Sequence, residues 1–222
     1  MHKLDHIVFA ASSLEEGTNF IENKLNSKLS DVGYHDFMGT HNRVIKVDKS
    51  IYLEVIAINP FSEAPKEDRW FNLDSPELQE KLQNSPQIIG YVIETDNKEI
   101  LKHFCAPITA SRGDYKWNFA IPNLESDILD FKLIQSGIIP NLISWKSNKP
   151  ILQMKDNDFN LNKIEVEITN NQIHYKNFLN SLGNIEKLTF SLKKNITQQS
   201  SYHYPKMTAS IKDNKANKFI LL

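Results

Sequence analysis

The chain has 222 residues, 40% of them hydrophobic and 24% charged, with a formal net charge of −1. That length buries the core of one large domain or two small ones, and the hydrophobic share excludes a disordered chain. The near-neutral balance lacks the basic excess that binds polyanions, so nucleic acid is not an expected partner.

The N-terminus, MHKLDHIVFAASSLEE, meets acidic residues almost at once and has no seven-residue apolar stretch, and no 18-residue apolar run occurs anywhere. The expectation is a soluble, cytoplasmic protein with no membrane partner. The one cysteine, Cys105, has neither a disulfide partner nor a CxxC spacing and reads as a core residue.

LDHIVFAA (4–11) is an apolar, β-branched run typical of a buried strand. The stretch after it opens with Ser13 and Glu16 at the spacing of a helix N-cap and the third residue of its first turn, with Phe20, Ile21 and Leu25 as its apolar stripe. SKLSDVGYHDF, NRVIKVDK and IYLEVIAI follow as three extended segments, giving β-α-β-β-β. Residues 59–86 hold four prolines and no strand pattern, and read as a long connection with one helix at 76–83. The order then repeats: QIIGYVIET is strand-like, NKEILKHFCA helical, and YKWNFAIP, ILDFKLIQ and IPNLISWK extended. A third, shorter pass runs from LNKIEVEITN through the helical NQIHYKNFLNSL to KLTFSLKK, KMTASIKDN and NKFILL.

A unit that repeats in this way has one apolar face to cover and pairs with its neighbour to do so. The expected fold class is α+β: tandem βαβββ modules whose curled mixed sheets form a cup, plus an incomplete third C-terminal module. The expected boundaries are a first module at 1–58, a connection at 59–86, a second module at 87–150 and an incomplete βαββ module at 151–222.

LDHIVFAASSLEEG, GTHN, YLEVIAINP, RWFNLD, SRGDYKWNFAIP and IPNLISW together resemble the successive signatures of the glyoxalase-like domain proteins of the vicinal oxygen chelate superfamily. The resemblance covers residues 3–150 well and 160–222 as a degenerate half-module. It implies a divalent metal (Zn, Mn, Fe or Ni) held by His or Glu from the first and fourth strands. It also implies lyase, isomerase or dioxygenase-type chemistry on a small oxygenated molecule. Some members of the superfamily are instead metal-free binders of drugs, and both classes stay open here. The expected partner is a small-molecule ligand, with a homodimer as the assembly to look for.

His6 on the first strand and Glu54 on the fourth are the candidate metal ligands, since a strand Glu is almost never fully buried without a partner. Strand parity sends Leu53, Val55 and Ala57 to the helix and Tyr52, Glu54 and Ile56 into the cup. His41 and Glu54 are the candidate catalytic groups, with His41 as a nearby acid or base. A turn at Lys49 and Ser50 would pair Glu54 with Ile45 and leave His41 on the same face but about 13 Å away, too far to share one metal without a bulge. In the second module Gly90 falls at the place of His6, Ser144 at that of Glu54, and Lys149 where relatives carry His. Arg69 and Arg112 are expected at the cup mouth to bind an anionic group bidentately, and Trp70 and Trp145 to line the cavity, while Trp117 is split between cavity and core. His2, His35, His103, His174 and His203 lack ligand spacing and read as surface or core. No nucleophile elbow, P-loop or dinucleotide fingerprint occurs.

Overall fold

The computed structural model describes residues 2–66, 68–101, 104–123, 137–168, 182–192 and 206–222. Among the described residues twelve strands form two sheets. In the first half, β1 (Lys3–Ala10), α1 (Leu14–Leu25), β2 (Gly33–His35), β3 (Thr40–Lys46) and β4 (Tyr52–Ile58) make one unit. After α2 (Pro76–Asn84), a second unit comprises β5 (Gln87–Glu94), α3 (Lys98–Leu101), β6 (Ile108–Arg112), β7 (Tyr115–Ala120) and β8 (Asn141–Trp145). Their strands merge into one eight-stranded sheet of order β2-β3-β4-β1-β5-β8-β7-β6. The order is the same from either edge inward: β1 lies parallel to β4, β5 parallel to β8, and antiparallel β1 and β5 join the halves.

The central strands are buried on both faces, which is why β1 and β4 read as continuous apolar runs rather than alternating ones. On the convex face Ile7, Phe9, Leu53, Val55 and Ala57 meet Ile21 and Leu25 of α1. That helix starts where expected, the Ser13 hydroxyl accepting from the Glu16 amide at 3.1 Å. It lies close on the sheet because Gly17 has no Cβ, which would stand 2.7 Å from Val55 Cγ1.

A second sheet of order β10-β9-β11-β12, from β9 (Phe159–Ile168), β10 (Leu188–Leu192), β11 (Met207–Asp213) and β12 (Lys218–Leu221), adds Leu161, Ile164, Val166 and Ile211 to the same convex core. Asp48, on the β3–β4 loop, pins it: its Oδ2 accepts from the Leu161 amide at 3.0 Å and from Lys187. The expected helix between β9 and β10 lies outside the described residues apart from its last residue, Leu182. So does the whole of the expected strand ILDFKLIQ (128–135). Among the described residues the second unit's outermost strand is Ile108–Arg112, a short edge segment of alternating exposure whose Thr, Ala and Ser give no apolar run to recognise.

The concave face has its own core, and the long 59–86 connection fills part of it. Leu73 and, from α2, Leu78 and Leu82 pack on Val8, Ala10 and Ile89. This plugs one end of the cup with aliphatic side chains and leaves the other end open.

Candidate functional site

The open end is built around an irregularity in β1. Its pairing with β5 shifts between Leu4 and His6, so one extra residue sits on the β1 side. Leu4 and Ile7 both belong to the convex core, and the bulge between them turns both Asp5 and His6 toward the cup. Both are buried, and Asp5 Oδ1 lies 2.7 Å from His6 Nδ1. The other Asp5 oxygen accepts from Trp145 Nε1 at 2.9 Å, and the Tyr52 hydroxyl also bonds to this carboxylate. Burial, with the Asp5 and Glu54 charges, pushes the Tyr52 phenol well above its ordinary range, so it stays a donor. The Tyr52 ring stacks on the His6 imidazole, centroids 4.6 Å apart.

With Nδ1 held by Asp5, His6 presents Nε2 to Glu54 Oε2 at 3.6 Å. Glu54 reaches this place by parity on β4, and its Oε1 accepts from Asn42 Nδ2 at 2.5 Å. Asn42 Oδ1 in turn accepts from Arg112 Nη1 at 3.0 Å, across the gap between the two edges of the large sheet. The same Nη1 lies 3.3 Å from His35 Nε2. A guanidinium only donates, so that nitrogen is the acceptor, and Nδ1–H is left for Thr40 Oγ1 at 3.2 Å. Burial, assisted by Arg112, lowers the His35 pKa to about 4 against the pull of Glu54, keeping it neutral. Gly33 makes the crossing possible: a Cβ there would stand 2.2 Å from Arg112 Nη1 and 2.4 Å from Asn42 Oδ1.

His6, His35, Asn42, Tyr52, Glu54 and Arg112 line a narrow cleft with Trp70, Phe71, Trp117, Phe119 and Trp145 as aromatic walls. Trp70 Nε1 is buried with no acceptor among the described residues. Phe71 and Asn72 have φ of 57° and 56°, a left-handed backbone that costs a non-glycine residue about 1–2 kcal/mol.

Two of the expected site residues lie elsewhere. The β3–β4 loop closes with the Val47 and Asp48 amides both on the Ile51 carbonyl at 3.0 Å, so Glu54 pairs with Val44 and not Ile45. That one-residue change moves His41 to the other face, opposite Ala57, and brings Asn42 into the cleft. His41 leans against Tyr34 with its Nε2 buried and without a partner among the described residues. Arg69 does not line the cleft either: its guanidinium and its amide are both taken by Asp74.

In the second unit the register places Val92 directly opposite His6, and Ile143 and Trp145 are the β8 residues in the cleft wall. Gly90 faces Val8 instead. Ser144, one residue along from Ile143, bonds to Asp96, and Lys149 pairs with Glu94. Asp5, His35 and Asn42 were not marked by the sequence as site residues. The available signals were an Asp beside a His within a buried strand and an Asn beside His41.

A resident divalent cation fits this donor set poorly. The 3.6 Å between His6 Nε2 and Glu54 Oε2 is a span one ion bridges with bonds near 2.1 Å, and Asp5 fixes the imidazole as metal-site carboxylates do. Structural and catalytic zinc sites nevertheless use at least three protein ligands, as does the two-His, one-carboxylate set of non-haem iron. Among the described residues no group of three His, Cys, Asp or Glu forms such a set, and the Arg112 guanidinium, donating to Asn42, brings a positive charge close to Glu54.

Among solved structures, a hypothetical protein from Staphylococcus aureus shares the fold at 16% identity and a TM-score of 0.55, over 100% of this chain and 85% of that one. Methylmalonyl-CoA epimerase from Streptomyces coelicolor, at 13% identity and TM-score 0.42 over 67% of this chain and 98% of that one, is a weaker likeness and bears on neither fold nor ligand here. No curated protein sequence matches the chain. The family model described as the glyoxalase-like domain matches residues 4–180, and together with the paired βαβββ units this makes the chain a member of the glyoxalase-like domain family of the vicinal oxygen chelate superfamily.

Proposed function

We propose that the cleft binds a small oxyanion-bearing molecule and moves a proton on it, in isomerase- or lyase-type chemistry that needs no resident metal. The observation that carries this reading is His6 held at Nδ1 by a buried carboxylate and facing a second carboxylate at Nε2. An imidazole so oriented takes a proton at Nε2 and, once cationic, is stabilised from both sides. Arg112 spends only Nη1 on Asn42 and His35 among the described residues, which leaves Nη2 and Nε for a ligand carboxylate or enolate oxygen. The C–H electron pair would move onto an oxygen held by that guanidinium, and the proton would return to carbon from His6 or Glu54.

The test is solvent exchange in D₂O, followed by NMR, over a panel of 2-oxo and 2-hydroxy acids. With the wild type, deuterium should enter at C3 of the 2-oxo acids, next to the carbonyl, or at C2 of the 2-hydroxy acids, the carbon that bears the hydroxyl, and exchange should fall about 100-fold or more in His6→Ala and in Glu54→Gln. Binding without exchange for every acid would leave the sequestering, drug-resistance-like role as the function. Stoichiometric Zn²⁺, Mn²⁺, Fe²⁺ or Ni²⁺ in the purified protein, lost in a His6→Ala/Glu54→Gln double variant, would overturn the metal-free reading.

A further inference from the structure

We infer that the molecule held in the cleft is a planar aromatic acid, with its carboxylate on Arg112 and its ring among the aromatic side chains of the inner wall. This rests on the reading of the cleft as a small-anion site and goes further by naming the body of the ligand.

Seven of the fifteen residues lining the cleft are aromatic, in a chain that is 10% aromatic, and they include all three tryptophans. The concave core is sorted accordingly: leucines of the 59–86 connection fill its closed end, and rings fill the end that stays open. A saturated ligand would be served as well by more leucine. Rings carry negative faces and positive edges, and edge-to-face placement adds to area burial when the guest is itself a ring. The walls already use that geometry, with Trp70 and Phe71 each edge-on to Phe119 at 5.3 and 5.8 Å, and Trp117 tilted on Trp145 at 5.7 Å.

The backbone at Phe71 is an independent observation. An aromatic residue at φ 57° is strained, and the strain is kept where it delivers a ring to the cleft wall. Beside it, the Trp70 indole N–H has no acceptor among the described residues.

The probes are benzoate and phenylacetate against cyclohexanecarboxylate, with benzyl alcohol as the uncharged ring. Tryptophan fluorescence reads the titration, since every tryptophan borders the cleft. The aryl acids should bind about fivefold or more tighter than the saturated acid, the margin that ring–ring contacts supply. Arg112→Gln should weaken the acids about tenfold. Phe71→Leu, which keeps an apolar side chain on the same left-handed backbone, should erase most of the aryl preference while cyclohexanecarboxylate still binds, so the loss cannot be laid to misfolding. Equal binding of aryl and saturated acids, both lost in Arg112→Gln, would overturn the aromatic inference and leave the anion site standing. Benzyl alcohol binding as well as benzoate would overturn the acid. No binding by any probe would overturn both readings.

Discussion

The two halves of the large sheet have the same strand order, yet they furnish the cleft differently. The first contributes Asp5, His6, His35, Asn42, Tyr52 and Glu54, the groups that can hold or move a proton. The second offers Val92 and Ile143 at the facing positions, aromatic walls from β7 and β8, and one cation, Arg112. A repeated fold thus fixes where side chains point and leaves their chemistry free. On the proposed function one half supplies the reactive wall, and the other shapes and charges the pocket.

The most damaging way to break this asymmetry is to remove the group that orients the reactive wall. Asp5→Ala would strand the His6, Trp145 and Tyr52 donors in a buried place. A loss of about 3–5 kcal/mol is expected in urea unfolding, and Asp5→Asn should cost less. An Asp5→Ala variant within 1 kcal/mol of wild type would show that the bulge does not hold the site together.

His35 ties the first half to the second through Arg112, and its titration should be visible in stability. Its folded pKa of about 4 lies below the ordinary 6.5, so between those values the unfolded chain binds a proton that the folded chain refuses. Stability should therefore decline as the pH falls from about 6.5 to 4, by ~3 kcal/mol from this residue. His35→Gln should flatten that part of the pH profile; an unchanged profile would place the acid sensitivity elsewhere.

The difference between halves can also be sharpened by erasing it. Val92→His sets a second imidazole directly opposite His6, giving three donors with Glu54. Zn²⁺ or Ni²⁺ affinity should rise about 100-fold or more, measured by calorimetry. A variant that gains nothing would mean that the concave-face geometry, and not the missing third donor, opposes a metal.

The repeat itself was legible in the sequence because apolar runs and an N-cap at Ser13 are local signals. What was not legible depended on contacts made far away. The β3–β4 register turns on Asp48, whose carboxylate accepts from its neighbour Lys49 at 2.7 Å and from Leu161, 113 residues on. A two-residue turn at Lys49 and Ser50 was the simpler local reading and was off by one. Asp5 was hidden for a similar reason: simple alternation sends it to the convex face, and only the pairing with β5 reveals the bulge. His6 and Glu54 needed neither correction, since both lie on strands buried on both faces, where a charged residue stands out.

The smallest expected effect tests that register directly. His41 shares its face with Arg43 and Ile45, toward α1, while Asn42 on the other face bonds to Glu54. Burial lowers its pKa, and its Nε2 meets no partner among the described residues, so the neutral ring contributes mainly its apolar surface. His41→Leu keeps that surface and removes an unsatisfied nitrogen. Stability should change by less than about 1 kcal/mol, in the stabilising direction if at all, and ligand affinity and proton exchange should stay within about twofold of wild type. Asn42→Leu, one residue along, should by contrast loosen both Glu54 and Arg112 and depress both readouts about tenfold. Reversal of that order, with His41 costly and Asn42 silent, would mean that β3 presents its other face to the cleft.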